Sequence, residues 1–268
     1  MGVLTHGSLF SGLGGIDLGF DRAGIETKWQ VEINPFCREI LTQHWPNVRR
    51  YEDVKTIRGR EIEKVDIISG GFPCQDVSLC GLRKGLAGER SGLFYEFQRI
   101  LKETYPQWVV IENVCGLLTS NHGRDFRTVT DALQEIGYGI EWRVLDAQFF
   151  GVPQRRRRVF IVGHLGADIP LRVLFRDASM VERRVSTKKD GAPCFRSLPL
   201  RAESVKHGNL PILVAECPNA PSCIDSQGVR TFDGVPRWVD IERYKALGNA
   251  VCPNVSQWIG EGIVKVSG

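Results

Sequence analysis

A chain of 268 residues with 42% hydrophobic and 25% charged residues has the composition of an ordinary globular protein, with apolar material for one large core or a core plus a smaller lobe. Its net charge of +4 permits a polyanionic partner without requiring one. No apolar run reaches the ~20 residues of a membrane-spanning helix, the start of the chain is glycine-rich and broken by Asp17 and Asp21 rather than leader-like, and the eight cysteines form neither a C-x-x-C pair nor a zinc-spaced cluster. The expectation is reduced thiols in a cytosolic compartment, with no metal.

The first strand is predicted over residues 4–9. It runs into Phe10-Ser11-Gly12-Leu13-Gly14-Gly15 and then a helix over 16–23. Strand, glycine turn and helix present backbone N–H groups to a nucleotide-like ligand. The dinucleotide pattern G-x-G-x-x-G fails because its last position is Asp17, which disfavours a pyrophosphate site and a dinucleotide oxidoreductase. A second strand, 27–31, ends at Glu32. An acid there commonly accepts hydrogen bonds from ribose hydroxyls. Pro35 suits the first turn of the next helix, which runs to His44. Asp53 follows, near a short third strand.

The run Val65-Asp66-Ile67-Ile68-Ser69 reads as a short buried parallel strand. Just past it stand Gly70-Gly71-Phe72-Pro73-Cys74-Gln75, at the sheet edge where open α/β folds bind ligands. Pro73 stiffens the segment that aims the Cys74 thiol. Residues 76–92 are rich in Gly, Ser and charge and have no period, which predicts a mobile, lid-like loop. A helix over 91–103 carries Leu93, Phe94, Phe97, Ile100 and Leu101 at core spacing. The strand 108–111 then ends in Glu112-Asn113-Val114, bringing a carboxylate to the edge that carries Cys74. A helix over 125–136 and a strand over 140–145 follow. Arginines occupy every position from 155 to 158, just before a strand over 159–162. The two-residue period places Arg156 and Arg158 on one side of the sheet. From Gly166 to Trp238 prolines recur, basic residues cluster and no long period emerges, as in a smaller irregular lobe. Gly248-Asn249-Ala250-Val251-Cys252-Pro253 opens a last helix, whose Val255, Ile259 and Ile263 predict packing back onto the first domain. The chain divides as 1–165, 166–243 and 244–268.

Five of these segments, Phe10–Gly15, Gly71–Gln75, Glu112–Val114, Gln154-x-Arg156-x-Arg158 and Gly248–Val251, resemble in order the motifs of the DNA (cytosine-5)-methyltransferases, in a compact bacterial or phage-type form. The resemblance runs through residues 4–163 and resumes at Tyr244. It implies an α/β fold: a Rossmann-like S-adenosylmethionine-dependent methyltransferase sheet with a small irregular target-recognition lobe. It implies methyl transfer to carbon 5 of cytosine in a specific duplex sequence, on a base flipped out of the stack. Carbon 5 is a poor nucleophile until a thiolate adds to carbon 6. The resemblance gives that role to Cys74, with Arg156 the candidate charge that favours thiolate. Glu112 would bond the cytosine edge, Arg156 and Arg158 would hold base and acid, and Gln154 would shape the pocket.

For the cofactor, the family pattern implies that Phe10 stacks on adenine and that Ser11, Gly12, Leu13, Gly14 and Gly15 lie at the methionine portion. Glu32 and Ile33 lie at the ribose and Asp53 and Val54 at the adenine edge. Gly71, Asn249 and Val251 complete the pocket. Gln75, Ser78, Arg90 and Gln154 would touch DNA, and some of Arg172, Arg176, Arg183, Arg184 or Lys188 would read bases. The implied partner is double-stranded DNA, bound by a cytoplasmic monomer without metal or membrane, with room for a cognate restriction endonuclease.

The lobe departs from the family pattern. The arginine/leucine-threonine-proline segment and the leucine-glutamine-glycine-phenylalanine-proline run are absent, and only Val229–Pro236 lies in that neighbourhood. A tRNA cytosine-5 methyltransferase is the enzymatic rival, disfavoured because no cysteine-phenylalanine-threonine signature occurs. A catalytically silent DNA-binding homologue is the other, opposed by Cys74 and Glu112.

Overall fold

The computed structural model describes residues 2–72, 92–152, 154–166, 172–175 and 246–268, with the main chain of 201–203 and 212–214. Cys74, Gln75, Ser78, Arg90, nearly all of the 76–92 loop, and Arg176, Arg183, Arg184 and Lys188 lie outside the described residues. The elements in chain order are β1 (Thr5–Leu9), α1 (Gly15–Arg22), β2 (Glu26–Val31), α2 (Pro35–His44), β3 (Arg49–Tyr51), β4 (Ile67–Gly70), α3 (Leu93–Thr104), β5 (Trp108–Val114), α4 (Arg124–Ile136), β6 (Tyr138–Asp146), β7 (Arg157–Leu165), β8 (Arg201–Glu203), β9 (Ile212–Val214) and α5 (Pro253–Ser267).

They build one sheet in the order β3-β2-β1-β4-β5-β7-β6-β9-β8. The strands from β3 to β5 are parallel, and β7 runs antiparallel between β5 and β6. Both faces are covered, so the central strands are apolar at successive positions. Val109 and Ile111 of β5 point into one core with Phe94, Phe97 and Leu133 of α3 and α4. Trp108 and Val110 point into the other, with Phe20 of α1 and Trp258, Ile259 and Ile263 of α5. The last helix thus packs on α1. Its approach to α1 is close: a Cβ on Gly19 would lie 2.1 Å from Ser256 Oγ, and Ser256 Oγ donates to Gly15 O at 2.8 Å.

A polar seam runs through the apolar middle beneath β1. His6 Nε2 lies 2.7 Å from Ser69 Oγ, linking β1 to β4, and His6 Nδ1 lies 3.3 Å from Thr27 Oγ1 on β2. Asp17 accepts from Gln30 Nε2 at 3.0 Å and from Ser8 Oγ at 3.2 Å. Burial lowers the His6 pKa from 6.5 to about 3. Burial raises that of Asp17 from 3.8 to about 6, against the pull of its hydrogen bonds.

The two groups load stability with opposite signs. His6 is held neutral, so its share is complete above its unfolded pKa and is lost as pH falls toward 3, by roughly 5 kcal/mol in all. Asp17 favours its protonated form, so its share is lost as pH rises from about 4 to about 6, by roughly 3 kcal/mol. Asp17→Asn removes only the second slope. In urea unfolding from about pH 4 to pH 7, that variant should gain roughly 3 kcal/mol relative to the parent chain. A pH-independent difference would show that Asp17 titrates normally.

Candidate active site

Chain leaving β1 turns toward β2 on one side, and chain leaving β4 turns toward β5 on the other. A crevice opens where such paths diverge. Here it is a cavity of about 610 Å³, within the range of small-molecule sites. Its walls are the turn after β1, the residues after β2 and β3, Gly71 and Phe72, the end of β5, Arg156 and Arg158 at the start of β7, and Ala246 with Asn249–Val251 before α5.

At one end stands Glu112. The expected strand stopped before it, yet β5 continues to Val114 because β7 pairs beside it, with Val114 opposite Arg158. Glu112 is 7% exposed. Arg158 Nε pairs with Glu112 Oε1 at 3.0 Å, and Oε1 has no other partner among the described residues. Burial pushes the Glu112 carboxyl up, and Arg158 and Arg156 oppose the rise without cancelling it. Arg156 is fixed from two sides: its N–H donates to Asp146 Oδ1 at 2.9 Å and its Nη1 to Gly248 O at 2.8 Å. Its Nε and Nη2 are buried with no partner among the described residues. Buried polar atoms without partners are rare and call for a ligand or water. A buried acid ion-paired to one arginine, beside a second arginine with unpartnered N–H groups, suits a flat heterocycle with donor and acceptor edges.

The other end is built by turns. Phe10 has φ 57, a left-handed conformation that costs a bulky residue about 1–3 kcal/mol, and its ring lines the cavity. Gly12 follows with φ 57, and its N–H donates to Glu32 Oε2 at 2.7 Å. Asn34 N donates to Glu32 Oε1 at 2.8 Å. Glu32 thus ties the turns after β1 and β2, and each oxygen retains acceptor capacity for a ligand hydroxyl. Asp53 Oδ1 accepts from Lys55 N at 2.9 Å, and Ile33 caps the rim, 68% exposed. An aromatic face, an acid that can take hydroxyl donors, and an apolar rim fit S-adenosylmethionine. Among the described residues no group of His, Cys, Asp and Glu is arranged to hold a metal ion, and no helix is long and apolar enough to cross a membrane.

A family model described as C-5 cytosine-specific DNA methylase matches residues 4–206. The chain belongs to that family. The Type II methyltransferase M2.BsuMI of Bacillus subtilis (strain 168) is 32% identical over 300 residues, covering 97% of this chain and 75% of its own length. M.BsuFI of Bacillus subtilis is 38% identical over 160 residues, 60% of this chain and 39% of its own. M.NgoFVII of Neisseria gonorrhoeae is 40% identical over 158 residues, 58% and 42%. The chain thus spans three quarters of one such relative and less than half of the other two. Among solved structures, an E. coli prophage-encoded chain assigned as a DNA modification methyltransferase superposes with TM-score 0.53 at 27% identity, covering 63% of this chain and 50% of that one. Dnmt2 of S. pombe superposes at 0.51 with 21% identity, covering 63% and 51%, a likeness of fold alone.

In this C-5 cytosine methylase the cavity gathers Glu112, Arg156 and Arg158 with Phe10, Ser11, Gly12, Glu32, Ile33, Asp53, Val54, Gly71, Asn249 and Val251. Leu13, Gly14 and Gly15 are not on its wall. Gly14, at φ 78, is packed on Trp45 and Leu41, and Gly15 on the main chain of Val251. Gln154 is exposed, its N–H donating to Val152 O at 2.8 Å, and Arg172 is exposed too. The methylase cavity also takes in Asn34, Cys37, Phe72, Leu93, Asn113 and Ala250, which the sequence reading left unassigned. Phe72, Asn113 and Ala250 sit inside the motifs and were open to detection there. Leu93 reads as plain core, and Cys37 carries no local signal.

Proposed function

We propose that this methylase transfers a methyl group to carbon 5 of a flipped cytosine in duplex DNA through a covalent Cys74 adduct. The observation that carries the reading is the buried Glu112, ion-paired to Arg158 beside Arg156, in the same cavity as the Phe10–Glu32–Asp53 wall. Phe10, Glu32, Asp53 and Val54 would hold S-adenosylmethionine, which would supply an electrophilic methyl group on a sulfonium.

The chain's own residues do the rest. Gly71 lines the cavity, and Cys74 follows three residues later in the sequence. The Cys74 thiolate adds to carbon 6, and its electron pair makes carbon 5 nucleophilic. Glu112, whose burial favours the protonated form, offers a proton to ring nitrogen 3 as negative charge develops there. Arg156 and Arg158 keep Glu112 in place and supply the remaining positive field. After transfer, a base takes the carbon-5 proton and the Cys74 sulfur leaves.

A duplex carrying 5-fluorocytosine blocks that proton loss. With S-adenosylmethionine it should trap the chain as a covalent complex, visible on a denaturing gel and absent for Cys74→Ala. Bisulfite sequencing of plasmid from expressing cells would give the target sequence. A chain that binds S-adenosylhomocysteine yet forms no adduct on any duplex would count against the proposal.

A further inference from the structure

Asp53 and Val54 form a wall of the cavity's cofactor end, yet they lie in a stretch, residues 52–58, with neither helix nor strand. The Val54 side chain is sunk in the core at 3% exposure, and its carbonyl needs a donor. Arg99 of α3 supplies it, with Nη2 2.9 Å from Val54 O. Glu96 holds the same guanidinium at Nε (2.8 Å) and Glu103 at Nη1 (2.9 Å). The other oxygen of Glu103 accepts from Gly59 N at 2.6 Å. The stretch is therefore gripped at both ends by one ion-pair cluster on α3. Contact is tight, since a Cβ on Gly59 would lie 2.5 Å from that of Glu103.

An arginine three and four residues from two glutamates on a helix is ordinarily a solvated pair of little consequence. Here both partners reach past each other to the main chain of a cavity wall. The facing wall is held alike. Arg38 Nη1 donates to Ile33 O at 2.7 Å and Glu32 O at 3.1 Å, and its Nη2 pairs with Glu52 at 3.1 Å. Two arginines act from outside the cavity on the carbonyls of its lining.

We propose that Arg99 is a positioning residue for the methyl donor, fixing the Asp53–Val54 wall without touching the ligand. The inference rests on the S-adenosylmethionine reading of this cavity. The helix that carries Arg99 also lends the cavity Leu93 directly, so α3 shapes the donor site by one direct and one relayed contact.

The test is calorimetric titration of the full chain with S-adenosylhomocysteine, alongside methylation kinetics. Arg99→Gln should weaken binding about tenfold and raise KM for the donor to match, since it removes the charge-assisted hydrogen bond to the cavity wall at Val54 O together with the glutamate pairs that hold it. The kcat at saturating donor and KM for DNA should stay within about twofold of the parent. Arg99→Lys should recover part of the affinity, because a single ammonium cannot reach both glutamates and Val54 O together. Parent-like binding by Arg99→Gln, or a fall in kcat with KM unchanged, overturns the inference. If Arg99→Gln does not fold, Arg99→Lys decides: weaker binding at an unchanged urea midpoint supports it, and parent-like binding overturns it. A parent chain that does not bind S-adenosylhomocysteine removes the donor reading itself, a result distinct from any failure of the variants.

Discussion

Glu112→Gln should lower methyl transfer to a cytosine duplex by about 10²- to 10³-fold while leaving S-adenosylhomocysteine binding within about twofold. The substitution keeps shape and packing and removes the acid. An amide can still donate a hydrogen bond, but it cannot follow the proton as charge develops on the ring. Glutamine is the informative choice over alanine. Deleting the side chain would leave Arg158 facing a buried gap, and stranding one partner of a buried pair destabilises the fold by itself. A single-turnover rate measured beside a urea midpoint separates the two effects. A rate within about threefold of the parent would remove Glu112 from the chemistry.

Gly15→Ala should destabilise the chain by roughly 3 kcal/mol and weaken donor binding more than tenfold. The added Cβ would lie 2.2 Å from Val251 O and 3.0 Å from Val251 C. Those atoms are main chain, so no rotamer change relieves the clash. Val251 lines the cavity, and Ser256 one turn into α5 donates to Gly15 O at 2.8 Å. Any shift that admits the methyl group therefore moves a wall of the site. Gly12→Ala is the control. Its Cβ would meet nothing within 4 Å, and only the φ of 57 resists it, so it should cost about 1 kcal/mol. Equal midpoints for Gly15→Ala and the parent would show that the α1–α5 seam yields easily.

Much of this was legible in the chain. Arg156 and Arg158 do line one cavity, as the two-residue period predicted, though Arg156 sits just before β7 and is held there by Asp146 and Gly248; the glycine turn after the first strand announced the ligand edge. What stayed hidden depends on distant partners. Glu112 was placed at the end of a strand rather than inside one, because the pairing with Arg158 and Phe160 that extends β5 comes from far along the chain. Nothing local in the sequence says that Ser69 and Thr27 meet His6, or Gln30 and Ser8 meet Asp17, inside the fold. Arg99 resembled any charged residue on a helix exterior until the fold brought Val54 beneath it. Glu32 and Asp53 were each ambiguous alone and acquire meaning by sharing one cavity.

The seam between the first and last helices also sets an order of assembly. A ribosome delivers β1, the glycine turn and α1 well before Gly248, Asn249, Val251 and α5. Until then Phe20 has no Trp258 or Ile259 to cover it, and Arg156 has no Gly248 carbonyl to hold. A chain still lacking α5 would therefore leave the apolar face of α1 uncovered and the cavity without one of its walls.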